Sequence, residues 1–230
     1  MKKMVSLLMS LALILGSTTA VFAAPNNKEQ PLNAQGSTVS GNLKIGSNQE
    51  GVSDVLTFDQ IVDVIAKDYN ISKEEASKQV IGTNLLGSSN KTDAVTNSVS
   101  ANYLAALSAT YRTATSVFAV NAVYSPYLKF YCQTTEGGGF WWITTILNVW
   151  MDRASFSGLT KQFGGTVYAN LEDGGTIYWI VNGDFYNYGT TTTNGAVDIG
   201  LGEYASINFG ASNTTNQYAY CYKTGYFIIQ

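Results

Sequence analysis

The spacing of apolar residues changes along the chain, and each change marks a different kind of element. Behind Lys2 and Lys3, Leu7 to Leu15 form a nearly unbroken apolar run that leads to the small-residue site Val21-Phe22-Ala23. Basic, apolar and small residues in that order predict a cleavable signal peptide over residues 1–23, too short to span a bilayer. From residue 24 to residue 53 Asn, Gln, Gly and Ser dominate. Such a stretch cannot bury enough apolar surface to offset chain entropy and is expected to be a disordered spacer. Over 54–82 the period becomes helical, with Phe58, Ile61, Val62, Ile65 and Tyr69 on one face. Thr57 with Gln60, and Ser72 with Glu75, are capping boxes, and Gly82 is a stop signal. The pattern predicts a short helical hairpin, a propiece or a docking element. Residues 83–109 are largely polar and read as a linker.

From residue 110 to 230 the period is two. Candidate strands lie at 112–124, 126–133, 140–151, 161–171, 175–187, 195–201, 204–211 and 216–229, with Gly, Asn and Asp between them. This predicts a mainly β domain, an antiparallel β-sandwich of about eight strands. Leu128, Phe130 and Cys132 alternate with Tyr127, Lys129 and Tyr131; Leu147, Val149 and Met151 alternate with Ile146, Asn148 and Trp150. Ile177, Trp179 and Val181 alternate with Tyr178, Ile180 and Asn182. Val197, Ile199 and Leu201, then Ala205, Ile207 and Phe209, repeat the pattern. In each strand the first-named set is expected in the core and the other outside, as antiparallel sheets allow. Glu172-Asp173-Gly174-Gly175 supplies a hairpin turn.

Composition narrows what such a protein can do. Losing residues 1–23 removes Lys2 and Lys3 and moves the net charge from −3 to −5. With no basic run, nucleic acid is not an expected partner, because phosphate neutralisation dominates that affinity. No segment after the signal peptide is apolar and long enough for a transmembrane helix. Cys132 and Cys221 are the two cysteines, and in an oxidising exterior they are expected to form a disulfide. There is no histidine, which removes Ser-His-Asp and Cys-His catalysis and the commonest zinc ligand.

Carboxylates are what remains for catalysis: Glu136, Asp152, Glu172, Asp173, Asp184, Asp198 and Glu203 in the β domain. A hydrolase needs two facing each other across a cleft, and the spacing nominates no pair. Asp173, Asp184 or Asp198 could contribute to a calcium site, but no DxDxDG-like spacing is present. No metal, no cofactor and no catalytic residue is therefore assigned. Aromatic residues carry the stronger signal. Fourteen of the fifteen tyrosines lie beyond residue 102. Trp142, Trp150, Tyr168, Tyr178, Tyr186, Tyr218, Tyr220 and Tyr222 fall opposite the assigned core. Tyrosine suits a half-wet surface because it has an apolar body and a polar tip. The candidate binding residues are Tyr218, Tyr220 and Tyr222, with Tyr178 and Tyr186 as cross-strand neighbours.

The export signal, the hairpin from Phe58 to Val80 and the run from Tyr124 to Cys132 resemble small secreted proteins of Bacillus-type Gram-positive bacteria. The resemblance implies an extracellular product and no catalytic residues. A non-catalytic binding or interaction protein is the expected function, acting at the cell surface or in the extracellular matrix through an aromatic sheet face. Its partner would be a cell-surface glycan or a protein. A membrane-active toxin or bacteriocin-like protein with an N-terminal propiece is the alternative, and a carboxylate-dependent hydrolase the third.

Overall fold

Alternation over long stretches of Val, Ile, Thr and Tyr, interrupted by bulges, produces two antiparallel five-stranded sheets that pack face to face as a β-sandwich. The computed structural model describes residues 50–82, 102–154, 160–193 and 196–229, all within one packing unit, Val39–Gln230. The expected signal peptide, most of the spacer and residues 83–101 of the linker lie outside the described residues. In chain order the elements are β1 (Glu50–Val52), α1 (Phe58–Tyr69), α2 (Lys73–Ile81), β2 (Thr110–Val117), β3 (Tyr127–Gly137) and β4 (Phe140–Asp152). There follow β5 (Gln162–Asp173), β6 (Thr176–Tyr186), β7 (Thr191–Thr193), β8 (Ile199–Gly200), β9 (Tyr204–Ala211) and β10 (Gln217–Ile228). The first sheet runs β1-β2-β3-β4-β8 and the second β10-β6-β5-β9-β7. Residues 102–108 add a helical stretch within the expected linker.

The inner faces meet as expected along most strands. Leu128, Phe130 and Cys132 pack against an opposing layer that includes Ile177, Trp179 and Val181, all buried. Strand β4 departs from simple alternation. Tyr131 pairs with Asn148 but Cys132 pairs with Ile146, so Leu147 is an extra residue, and a second shift follows between Gln133 and Thr134. These bulges turn Ile143 and Ile146 into the core beside Val149 and Met151, and send Leu147 to the opposite side. Leu201 is likewise exposed, because β8 ends at Gly200 in a turn. The strand expected at 112–124 stops at Val117, where a turn bridging Asn121 and Tyr124 precedes Pro126. Residues 50–52, at the end of the expected spacer, are β1 and pair with β2.

The expected disulfide is not formed: Cys132 and Cys221 are both buried and unbonded. Cys221 lies on β10, an edge strand that meets β2 across the sandwich, whereas Cys132 lies one strand further in, on β3. A disulfide requires Cα atoms within about 7 Å and Cβ atoms aimed at each other, and these two cysteines lie on strands that are not paired neighbours. Each cysteine serves instead as a small apolar core residue. Burial pushes the Cys132 thiol up and the Cys221 thiol up to about 11.

The helical hairpin packs on the outside of the first sheet. Both capping boxes form, with Thr57 and Gln60 bonding reciprocally at 2.9 and 3.4 Å, and Ser72 and Glu75 doing the same. Asn70 ends α1 in the left-handed conformation, at φ 52°. Ile61, Ile65, Ala76 and Val80 bury their side chains in a second hydrophobic cluster with Tyr111 of β2, Tyr131 of β3 and Leu147 of β4. Ala106, from the helical stretch at 102–108, joins it. A boundary drawn at residue 110 therefore passes through a continuous packed layer.

Candidate functional site

The two outer faces of the sandwich differ in cover. On the first sheet the hairpin lies over the aromatic residues, and the tyrosine hydroxyls there are bonded. Asp68 Oδ2 accepts from Lys129 Nζ at 2.6 Å and from the Tyr131 hydroxyl at 2.8 Å. The Tyr69 hydroxyl lies 2.7 Å from Asn148 Oδ1 and 2.8 Å from the Val149 carbonyl, sharing its proton between them. Asn148, fully buried, donates in turn to Gln79 Oε1 at 2.8 Å. The Tyr111 hydroxyl donates to the Ala106 carbonyl at 2.7 Å. Burial, and after it Asp68, hold the Tyr69 and Tyr131 hydroxyls well above the usual phenol range.

Nothing among the described residues covers the outer face of the second sheet in this way. Register places Tyr226 of β10 opposite Tyr178 of β6, Tyr178 opposite Asn170 of β5, and Asn170 opposite Tyr204 of β9. One step along, Thr224, Ile180, Tyr168 and Ser206 form the next row. Tyrosine rings link these rows. Tyr226 and Tyr178 lie 5.0 Å apart between ring centres, Tyr178 and Tyr168 6.2 Å, and Tyr168 and Tyr204 5.4 Å. The result is a four-ring ladder across four strands. Partial burial raises the Tyr178 hydroxyl above its usual range, with Tyr222, Tyr226, Tyr168 and Glu172 adding to the shift. The hydroxyls of Tyr168, Tyr178, Tyr204 and Tyr226 have no hydrogen-bond partner among the described residues. Beneath the ladder, Asn170 Oδ1 is buried and accepts no hydrogen bond from the described residues.

The sequence-nominated residues separate here. Tyr220 and Tyr222 project from β10 onto this face, 59% and 56% exposed, and the Tyr220 hydroxyl donates to Asn182 Oδ1 at 2.9 Å. Tyr178 is a rung of the ladder. Tyr186 sits at the end of β6 on the same side, opposite Gln217 and Gln162, outside the ladder. Tyr218 leaves the stripe. A register shift between Gln217 and Ala219 turns its ring to the sandwich edge, edge-on to buried Tyr124 at 5.7 Å. There Lys161 Nζ lies 4.2 Å from its ring centre and Asn121 donates to its hydroxyl. Tyr226 and Tyr204 were not singled out by sequence, and Tyr168 only as an outward residue. The Gly174-Gly175 turn sets the β5–β6 register and so signals Tyr168 beside Tyr178. Tyr226 and Tyr204 reach the ladder only through strand order.

Five of the seven carboxylates bond to nearby groups. Arg112 holds Glu136 through two nitrogens, each at 2.9 Å, and thereby draws its carboxyl below the usual range. Asp152 accepts from the Tyr127 hydroxyl, Asp173 from the Gly175 amide, Asp184 from Gln217, and Glu203 from the Gly200 amide. No group of three potential metal ligands occurs among the described residues. The β3–β4 hairpin tip is another exposed aromatic feature. Gly138 and Gly139, at φ 60° and 85°, make the tight turn that presents Phe140 and Trp142.

No protein-family model, curated protein or solved structure matches this chain. Function has to be argued from the site itself.

Proposed function

We propose that this is a secreted, non-catalytic binding protein that acts at the cell surface or in the extracellular matrix through the tyrosine face of its second sheet. The observation that carries the reading is the ladder Tyr226–Tyr178–Tyr168–Tyr204, in ring contact across four strands, with its hydroxyls unpaired and its face uncovered among the described residues. Rings exposed side by side on a sheet offer apolar area for a partner to bury, and aromatic anchors of this kind dominate binding energies. The chain's signal-peptide pattern supports an extracellular setting. Whole cells of a Gram-positive bacterium should capture the purified protein, and Tyr168→Ala with Tyr178→Ala should weaken capture at least about tenfold, equivalent to ~1.4 kcal/mol. Equal capture of wild type and double variant would refute the face as the binding site.

Membrane contact is a second reading, supported by Phe140, 77% exposed, and Trp142 beside it at a glycine-tipped hairpin. Dye release from liposomes that is lost in Phe140→Ser would favour it over surface binding.

A further inference from the structure

We infer that the ligand of this face is a single chain of a neutral polysaccharide, laid across the strands along Tyr226, Tyr178, Tyr168 and Tyr204; this rests on the binding role proposed above. Three features of the face select that class.

The first is charge. Between its ends the face presents tyrosine, asparagine, threonine, serine and Ile180, with no ionised group. Glu172, two residues beyond Asn170 on β5, is close enough to act on Tyr178, and Asp184, already engaged by Gln217, lies toward the other end of β6. A surface whose nearest charges are carboxylates repels a phosphate or uronate polymer rather than neutralising it, so an uncharged chain fits it better.

The second is the mixture of chemistry. Ile180 is the one aliphatic side chain in the middle rows, so the face lacks the broad apolar centre of a stable protein–protein interface. It offers instead aromatic faces for the C–H side of a pyranose, and hydroxyls and amides for its rim. Asn170 Oδ1, flanked in register by Tyr178 and Tyr204, is an acceptor without a donor. A buried acceptor left unpaired is unfavourable. Half-exposed tyrosine side chains reorient rapidly, and a small swing of the flanking rings brings this acceptor within reach of a sugar hydroxyl.

The third is shape. Adjacent strands are about 4.8 Å apart, and the ring-to-ring steps of 5.0, 6.2 and 5.4 Å follow that spacing. Each step is about the length of one pyranose unit in an extended chain. The ring planes differ by 41° and 31° within the outer pairs but by 67° between Tyr178 and Tyr168. A ladder that turns at its middle cannot lie flat on a crystalline polymer surface. It suits one chain free to twist.

The test is native gel electrophoresis of the full chain, purified from expressing cells, through gels containing one soluble polysaccharide at a time. The probes are a neutral β-glucan, a neutral galactomannan, a neutral α-glucan and anionic polygalacturonate, with pull-down on crystalline cellulose alongside. At least one neutral polymer should retard the protein. Tyr168→Ala and Tyr178→Ala should each weaken retardation at least about tenfold, while Tyr188→Ala, outside the face, should leave it unchanged. Unchanged melting temperatures would show that the variants remain folded. The inference is overturned if no neutral polymer retards the protein, if only polygalacturonate or crystalline cellulose binds, or if the ladder variants bind like wild type. Whole-cell capture separates the two levels. Tyrosine-dependent capture without neutral-polymer binding would leave the face as a site for another partner, such as a protein, and remove only the ligand class. Capture indifferent to the tyrosines would remove both.

Discussion

Tyr131 on β3 and Tyr178 on β6 occupy equivalent positions, outward-facing on central strands of their respective sheets. Tyr131 is fully buried beneath α1, with its hydroxyl bonded to Asp68, whereas Tyr178 is part of an open ladder and its hydroxyl has no described partner. Trp150 makes the same point, since Tyr69 of α1 packs 4.6 Å from its ring centre. The two sheets are alike inside and differ in what was built over them. The covered face carries partners matched to its polar atoms, as burial demands. On the other face the four ladder hydroxyls have no such partners among the described residues, an arrangement that suits the proposed contact with a partner from outside.

Alkaline pH should separate the two faces most strongly. Burial raises Tyr69, Tyr111 and Tyr131 beneath the hairpin, Tyr111 to about 12. A raised folded-state value means that the neutral phenol is favoured in the native state. The contribution is complete below the unfolded phenol value of ~10 and is lost as pH climbs through the folded values. Each such phenol should remove roughly 1.4 kcal/mol of stability per pH unit above about 10. Urea unfolding as a function of pH should show that slope, and Tyr131→Phe should make it shallower. A slope unchanged by the substitution would mean that the hairpin does not seal this face.

At fixed neutral pH, truncation on the covered face comes next. Tyr131→Ala removes a fully buried ring and should lower stability by about 3–5 kcal/mol, and Ile65→Ala by about 2–5 kcal/mol. Asp68→Ala should cost less, about 1–3 kcal/mol, because it leaves Lys129 and Tyr131 without their acceptor in a site that is only partly buried. Denaturant midpoints measure all three. Losses below about 1 kcal/mol in Tyr131→Ala and Ile65→Ala together would make the hairpin a loose attachment.

The period of two was enough to read the sandwich and to sort most residues between inside and outside. Leu128 and Ile177 are fully buried in the core, and Tyr220 and Tyr222 are exposed, as the alternation requires. What it could not carry was any event that adds one residue. At Leu147 and Tyr218 a single bulge residue moves a side chain away from the face assigned by counting. Partner identity was equally hidden. Amphipathic α1 announced that it had a face to bury, but its sequence does not say that the cover is for Tyr131 and Leu147. The disulfide failed for a related reason, since an even count of cysteines contains no information about which strands face each other.

The smallest expected effect is on the open face, and it tests the comparison from the other side. Tyr220 and Tyr222 are more than half exposed, and neither belongs to the buried core. Tyr222→Ala should therefore change stability by no more than about 0.5 kcal/mol, the usual range for surface substitutions. Tyr220→Ala also breaks the bond to Asn182, but both groups are solvent-exposed, so water replaces each partner and the loss should stay within about 1 kcal/mol. Both variants should weaken cell capture at least about tenfold if the bound partner reaches β10. Raising the salt concentration should change capture little, because stacking on neutral rings is not screened as exposed charges are. If instead Tyr222→Ala lost 3–5 kcal/mol, as a buried ring would, the face would already be packed against part of this chain. The contrast between the two sheets would then disappear, and the proposed site with it.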